Sequence, residues 1–221
     1  MPPSPDLTRH RLVRAGERLF AQHGIDGVSL REISRESGAR NSVALQHHFG
    51  DRYGLLQAII DHQGPPIEAH RHQLLDSAEP QRRGGARRLA AALVLPLAAC
   101  LDGRPGGAEF LQIYADLWNR PRPIRLFPTT TAREDSLERW RQAVEFLLPP
   151  GAARLHRRYS TILYANTELS RCARVGDRAD VSVITEATID VVAAALVAPV
   201  SATTARAMAE HDARLPAPAI I

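Results

Sequence analysis

The sequence predicts an all-α protein, and three observations carry that reading. Apolar residues recur three and four positions apart; Ala, Leu, Arg, Glu and Gln dominate while β-branched runs of period two are scarce; and Gly and Pro clusters cut the chain into segments of helical length. At 221 residues a small module followed by a larger one is expected. The boundary falls at the end of the third helix, giving domains 1–50 and 51–221.

Residues 8–23 place Leu12, Ala15, Gly16, Leu19 and Phe20 on one stripe and Arg11, Arg14, Arg18 and Gln22 on the others, and Gly24 supplies the stop. Ser29 followed three residues later by Glu32 is a capping-box pattern opening a second helix, with Leu30 and Ile33 inward and Gly38 at its end. Asn41 is a cap for a short third helix, Ser42 to Phe49, whose inward residues are Ala44, Leu45 and Phe49. Asp51 caps a fourth that carries Tyr53, Leu55, Leu56, Ile59 and Ile60 to a break at Gly64-Pro65-Pro66.

Six further helical patterns follow near 66–78, 86–102, 107–119, 132–148, 152–174 and 179–197. Gly103 to Gly107 and Pro149-Pro150-Gly151 read as turns, and Arg120 to Thr131, with three prolines, reads as a surface loop or lid. Pro2 to Pro5 reads as an extended arm, and residues beyond about 199 as poorly tied down.

Composition excludes more than it assigns. A 44% hydrophobic and 24% charged chain is ordinary for a globular protein. The formal charge of +4 comes from arginine alone, since the chain has no lysine, and residues 1–64 hold eight arginines against seven acidic groups. Net charge therefore does not mark the N-terminal module as a partner of nucleic acid; placement must. Cys100 and Cys172 fit no metal or redox spacing and read as buried or inert thiols in a reducing compartment. Met1 to Arg11 lacks the apolar stretch of a signal peptide. The longest greasy run, Leu89 to Leu101, is interrupted by Pro96 and is shorter than the ~20 residues that cross a bilayer. A cytoplasmic protein with no membrane partner is expected.

Two helices joined by a Gly-containing turn, the second short and polar outside, form the helix-turn-helix that can lay its second helix in a major groove. Here that helix offers Asn41, Ser42, Gln46, His47 and His48. Asn and Gln can pair bidentately with adenine, and Ser or His can donate to base edges or phosphates. Arg40 before it and Arg52 in the next helix are placed to reach phosphates, and Ser29 adds a hydroxyl and amides at a helix start. His47 and His48 point about 100° apart, and His70 and His72 do not share a face, so neither pair has metal-ligand geometry. No nucleophile–base set, phosphate loop or metal motif supports an enzyme, and no cofactor is expected. The remaining rival is a helical interaction module or a non-specific nucleoid binder using the same unit.

The string from Leu12 to Leu56, LVRAGERLFAQHGIDGVSLREISRESGARNSVALQHHFGDRYGLL, resembles the N-terminal domain of TetR-family regulators almost continuously. The matched features are Ala15-Gly16, Leu19-Phe20, Gly24, Ser29-Leu30, Ile33, Gly38, and His48-Phe49 before a polar-basic segment. Two departures stand out. Gly38 to Phe49 is one residue longer than the commonest spacing, which widens the turn around Ala39-Arg40. Gln46 stands where the family usually has tyrosine, and Arg52 where it has lysine.

The resemblance implies an Ω-shaped homodimer whose recognition helices enter successive major grooves of a quasi-palindromic operator ~34 Å apart, usually as a repressor. It implies dimer contacts through 152–197, where Leu155, Tyr159, Ile162, Leu163, Ile184, Ile189, Val192 and Leu196 supply apolar faces. It also implies an effector pocket in the middle helices, making 51–221 an effector-binding and dimerisation domain. The candidate lining is Leu97, Cys100, Leu101, Phe110, Tyr114, Leu117, Trp118, Trp140 and Phe146, which suits a small apolar or aromatic effector. Such an effector would act by favouring one spacing of the two recognition helices, with the helix at 51–63 as the lever.

Overall fold

The computed structural model describes residues 5–38, 43–78, 84–120, 135–176 and 181–214. Among these there is helix and no strand: α1 (Pro5–His23), α2 (Leu30–Glu36), α3 (Val43–Phe49), α4 (Arg52–Ser77), α5 (Gly85–Ala98), α6 (Gly107–Asn119), α7 (Ser136–Ala143), α8 (Arg157–Val175), α9 (Val181–Val197) and α10 (Ala202–Arg214), with 3₁₀ turns at Ala99–Leu101 and Glu145–Leu147. The arm expected at Pro2 to Pro5 lies outside the described residues except that Pro5 opens α1, where its missing N–H costs nothing. The 121–134 part of the expected loop or lid also lies outside them.

The buried face of α1 carries Leu12, Ala15 and Phe20, as its periodicity predicts. A side chain at Gly16 would meet Leu55 Cδ2 at 2.9 Å, so the small pair at 15–16 lets α4 lie close against α1. One continuous apolar core then runs from Leu12 through Leu56, Leu93, Phe110 and Ile162 to Leu196, with α5 packed between α4 and α9, and α6 between α1 and α8. Trp140 is fully buried and donates its indole N–H to Leu89 O at 2.7 Å, tying α7 to α5.

Four expectations are corrected. The break at Gly64-Pro65-Pro66 does not exist: α4 runs through it as one helix. A proline inside a helix removes the partner of the carbonyl four residues back and costs about 3 kcal/mol in isolation. Here the carbonyl left by Pro66 is that of His62, and the Arg104 guanidinium donates to His62 O at 3.4 Å and to Gln63 O at 3.0 Å. Both prolines face outward while Gln63, Gly64 and Ile67 beside them are buried, so packing holds the helix together. The pattern at 132–148 starts only at Ser136, because Asp135 accepts the amide of Leu137 at 2.9 Å and caps the helix there, and it ends at Ala143. Residues 151–156 are turns, so Leu155 precedes α8. Beyond residue 199 the chain forms α10, whose Ser201 cap accepts Thr204 N at 3.1 Å and whose Asp212 pairs with Arg154 at 2.5 Å.

The join between the N-terminal unit and the rest is polar and buried. Glu17 of α1 has no solvent exposure; its carboxylate pairs with Arg14 and accepts Gln63 Nε2 of α4 at 2.8 Å, and the same Nε2 also donates to Pro105 O at 3.1 Å. Gly106, at φ 79°, closes this cluster from the side of α6: a Cβ there would stand 2.5 Å from Glu17 Oε2 and 2.7 Å from Gln63 Nε2. Gly106→Ala is therefore expected to destabilise the protein by about 1–3 kcal/mol through backbone strain and displacement of a buried carboxylate, read as a lowered denaturant midpoint in circular dichroism. An unchanged midpoint would show the cluster to be soft.

Candidate nucleic-acid interface

The helix-turn-helix is assembled by side chains that satisfy backbone groups. At the start of α2, Ser29 Oγ accepts Glu32 N at 3.2 Å while Glu32 accepts Ser29 N at 2.7 Å, the reciprocal pattern that the spacing predicts. The amide and then the hydroxyl of Ser29 hold the Glu32 carboxyl below its ordinary value. The Ser29 hydroxyl is thus engaged in the helix cap, with the Glu32 carboxylate beside it. At α4, Asp51 Oδ1 accepts Gly54 N at 2.9 Å, the expected cap.

Arg52 is likewise turned inward. Its guanidinium donates to Ile25 O at 2.6 Å and Val28 O at 2.7 Å, with Asp26 at 3.5 Å, so it braces the α1–α2 connection against α4 instead of presenting its charge to a phosphate. Arg18 and Glu36, at 3.0 Å, add a second tie between α1 and α2. The loop at Asp26 is also held from the end of α6, by Arg120 at 2.7 Å.

On α3, Leu45 is fully buried while Gln46 and His47 are exposed and His48 and Phe49 half-buried. Arg9 of α1 lies over the Phe49 ring, 5.4 Å from its centroid, and His48 tilts against the same ring at 6.0 Å. His48 is thus partly a packing residue, and the free polar surface of α3 is Gln46 and His47. Arg40, Asn41 and Ser42 lie outside the described residues. The supporting residues that sequence reading missed are Arg52 in its bracing role, Arg9, and the Glu17–Gln63 pair. All are polar groups whose partners lie far along the chain.

Residues 12–59 match the family model described as bacterial regulatory proteins, tetR family. The N-terminal helix-turn-helix of this chain is thus similar to the DNA-binding domain of that family. Relatives include the HTH-type transcriptional regulatory protein RaaS of Mycobacterium tuberculosis, 36% identical over 78 residues, 35% of this chain and 36% of RaaS. The HTH-type transcriptional repressor AcnR of Corynebacterium glutamicum is 33% identical over 55 residues, 25% of this chain and 29% of AcnR. The chain thus spans about a third of the length of the curated relatives it matches. A solved TetR-family regulator from Streptomyces coelicolor A3 overlays 88% of this chain and 97% of its own at 19% identity and a TM-score of 0.43.

The residues expected to line an effector pocket mostly fill the core. Trp140 is fully buried; Leu97 and Cys100 are 1% exposed, Phe110 2% and Leu117 4%. Burial pushes the Cys100 thiol up to about 11, so it is inert at neutral pH. Along α6 Phe110 stacks on Tyr114, which meets Trp118 edge-on, and Trp118 tilts against Tyr159, whose hydroxyl donates to Trp118 O at 2.8 Å. Leu101 packs at the edge of this core. Phe146 is corrected: it is 77% exposed and stands outside the core. Arg71, unforeseen among these apolar side chains, is 2% exposed and donates to Ser136 Oγ at 2.8 Å.

Removing the Ser29 hydroxyl tests the cap. In Ser29→Ala the Glu32 carboxyl should titrate closer to its ordinary value by side-chain NMR, because its hydrogen-bonding partner geometry is lost. In the wild type the lowered value means that the stabilisation is complete above the ordinary carboxylate range and is lost as pH falls through the depressed value. Arg52→Met should lower stability by about 1–3 kcal/mol by leaving Ile25 O and Val28 O unpaired, measured by urea unfolding.

Proposed function

We propose that this protein is a sequence-specific, DNA-binding transcriptional regulator, acting as a homodimeric, effector-responsive repressor on a quasi-palindromic operator. The observation that carries the reading is the outward pair Gln46 and His47 on α3, an amide and an imidazole on a short helix whose other face is anchored by Leu45, inside the stretch that matches the family model. Both are hydrogen-bonding groups suited to base edges, and the arginines around them that make internal contacts position the helix. Arg40, Asn41 and Ser42 complete the proposed reading surface at its start.

The homodimer reading is supported by the two faces of α9. Ile189, Val192 and Leu196, expected as dimer contacts, are within 2% of full burial inside one chain, as is Ile162 of α8. The opposite face of α9 carries Val183, Val191 and Val197, exposed by 65, 45 and 46%, with Ala187 and Ala194 between them. A stripe of valine and alanine along one exposed helix face is the kind of surface that a two-fold, self-complementary contact covers. The glutamate–glutamine cluster joining α1 to α4 supplies a route from the C-terminal helices to the reading helix.

Selection of bound sequences from random duplexes should return a two-fold motif; recovery of no motif would reduce the protein to a non-specific binder. Gln46→Ala should relax preference at one operator position by about 1–3 kcal/mol, read by competition binding with single-base variants. The double substitution Val183→Glu, Val191→Glu should yield a monomer by analytical ultracentrifugation with its helix content retained. Dimers surviving that change would move the interface off this face.

A further inference from the structure

We propose that Gly54 is a positioning residue of the reading helix: it leaves the room in which the carbonyl end of α3 seats against the first turn of α4, and so fixes how Gln46 and His47 are presented. The packing follows from the geometry of the junction alone; its meaning for recognition rests on the DNA-binding reading above.

Only Gly50 and Asp51 connect α3 to α4, and hydrogen bonds hold both. Gly50 stands at φ 72° and donates its amide to Gln46 O at 2.9 Å, so the last turn of α3 closes on a reading residue itself. Asp51 donates its amide to Phe49 O at 2.8 Å, while its carboxylate accepts Gly54 N at 2.9 Å. A connection this short brings the first turn of α4 back across the end of α3.

The two helices meet at Gly54. A Cβ there would collide with the carbonyl oxygen of Phe49 and stand 3.0 Å from its carbonyl carbon. These are backbone atoms, which no change of rotamer can move aside.

The first turn of α4 is not free to give way. Two residues before Gly54, Arg52 is tied to Ile25 O and Val28 O. One residue after it, the fully buried Leu55 lies against the bare backbone of α1 at Gly16, where a Cβ would come within 2.9 Å of it. The element left to move is α3, seven residues long and anchored inward by Leu45. A side chain at position 54 would therefore shift the helix that carries Gln46 and His47.

The test uses the full chain. In the wild type a nuclear Overhauser contact between the α-protons of Gly54 and Phe49 is expected, and its absence overturns the close approach. Alanine is favoured over glycine in a helix, so propensity by itself would raise Tm in Gly54→Ala; a lowered Tm with helix content retained is expected instead. Hydrogen exchange over residues 43–50 should quicken by about tenfold or more in Gly54→Ala, with that of α5, α8 and α9 unchanged. Gly50→Asn is the control, because position 50 has open space around it and a positive φ that asparagine tolerates; its exchange over 43–50 should match the wild type. On DNA, the preference of Gly54→Ala for the selected duplex over a scrambled one should fall by about tenfold or more, while affinity for the scrambled duplex is unchanged. A raised Tm, unaltered exchange over 43–50, or a Gly50→Asn variant as disturbed as Gly54→Ala overturns the part assigned to Gly54 in packing. An unchanged preference between the duplexes overturns its part in recognition. A wild type that selects no duplex loses the DNA-binding reading, and the proton contact and the exchange then still decide the junction.

Discussion

Burying the Glu17 carboxylate is the constraint on which the arrangement of this molecule turns. An unpaired carboxylate removed from water is among the most expensive events in folding. Glu17 escapes it only because Arg14, one turn back, and Gln63, forty-six positions away, converge on it. That convergence requires α1 to hold one register against α4. It also requires the turn before α6 to approach without a side chain, which is why position 106 is glycine at φ 79°. Three elements are thereby fixed by one buried group.

A common device recurs around this centre: long polar side chains are spent on backbone carbonyls. Arg52 holds the α1–α2 connection, and Arg104 serves the His62 carbonyl that Pro66 leaves without an amide partner, together with that of Gln63. In a chain whose cationic side chains are all arginine, the guanidinium fork suits such bidentate bracing better than a point charge would. The consequence for the helix-turn-helix is that Arg52 and Arg18 go into positioning, while Gln46 and His47 of α3 stay exposed.

The C-terminal helices divide their surfaces between two tasks. The inner faces of α8 and α9 close the core through Ile162, Ile189, Val192 and Leu196, while the outer face of α9 keeps valines in water. Apolar patterning identifies both faces as hydrophobic without saying which lies inside. In the same way, large apolar residues in the middle helices satisfy the description of a pocket lining and that of a packed core equally well. Trp140 and Phe110 turned out to be core, and a groove opens elsewhere, at a junction lined by Phe20, Asn119 and Arg174, residues that three separate segments contribute.

Local chemistry was legible in the sequence to the extent that its partners were local. The Ser29–Glu32 capping box and the Asp51 cap depend on groups within three residues of one another, and spacing alone shows both. The helix through Pro65 and Pro66 is not legible from spacing because Arg104, which serves the His62 carbonyl left by Pro66, lies about forty residues downstream, and Leu155 lies outside its helix because a turn and a helix start share the same residue types. By itself the sequence determined the all-helical class and the caps of the N-terminal helices. The tertiary structure decided which arginines are spent on bracing and which apolar faces are buried, because contacts of long range depend on where the chain returns, and no local pattern encodes that.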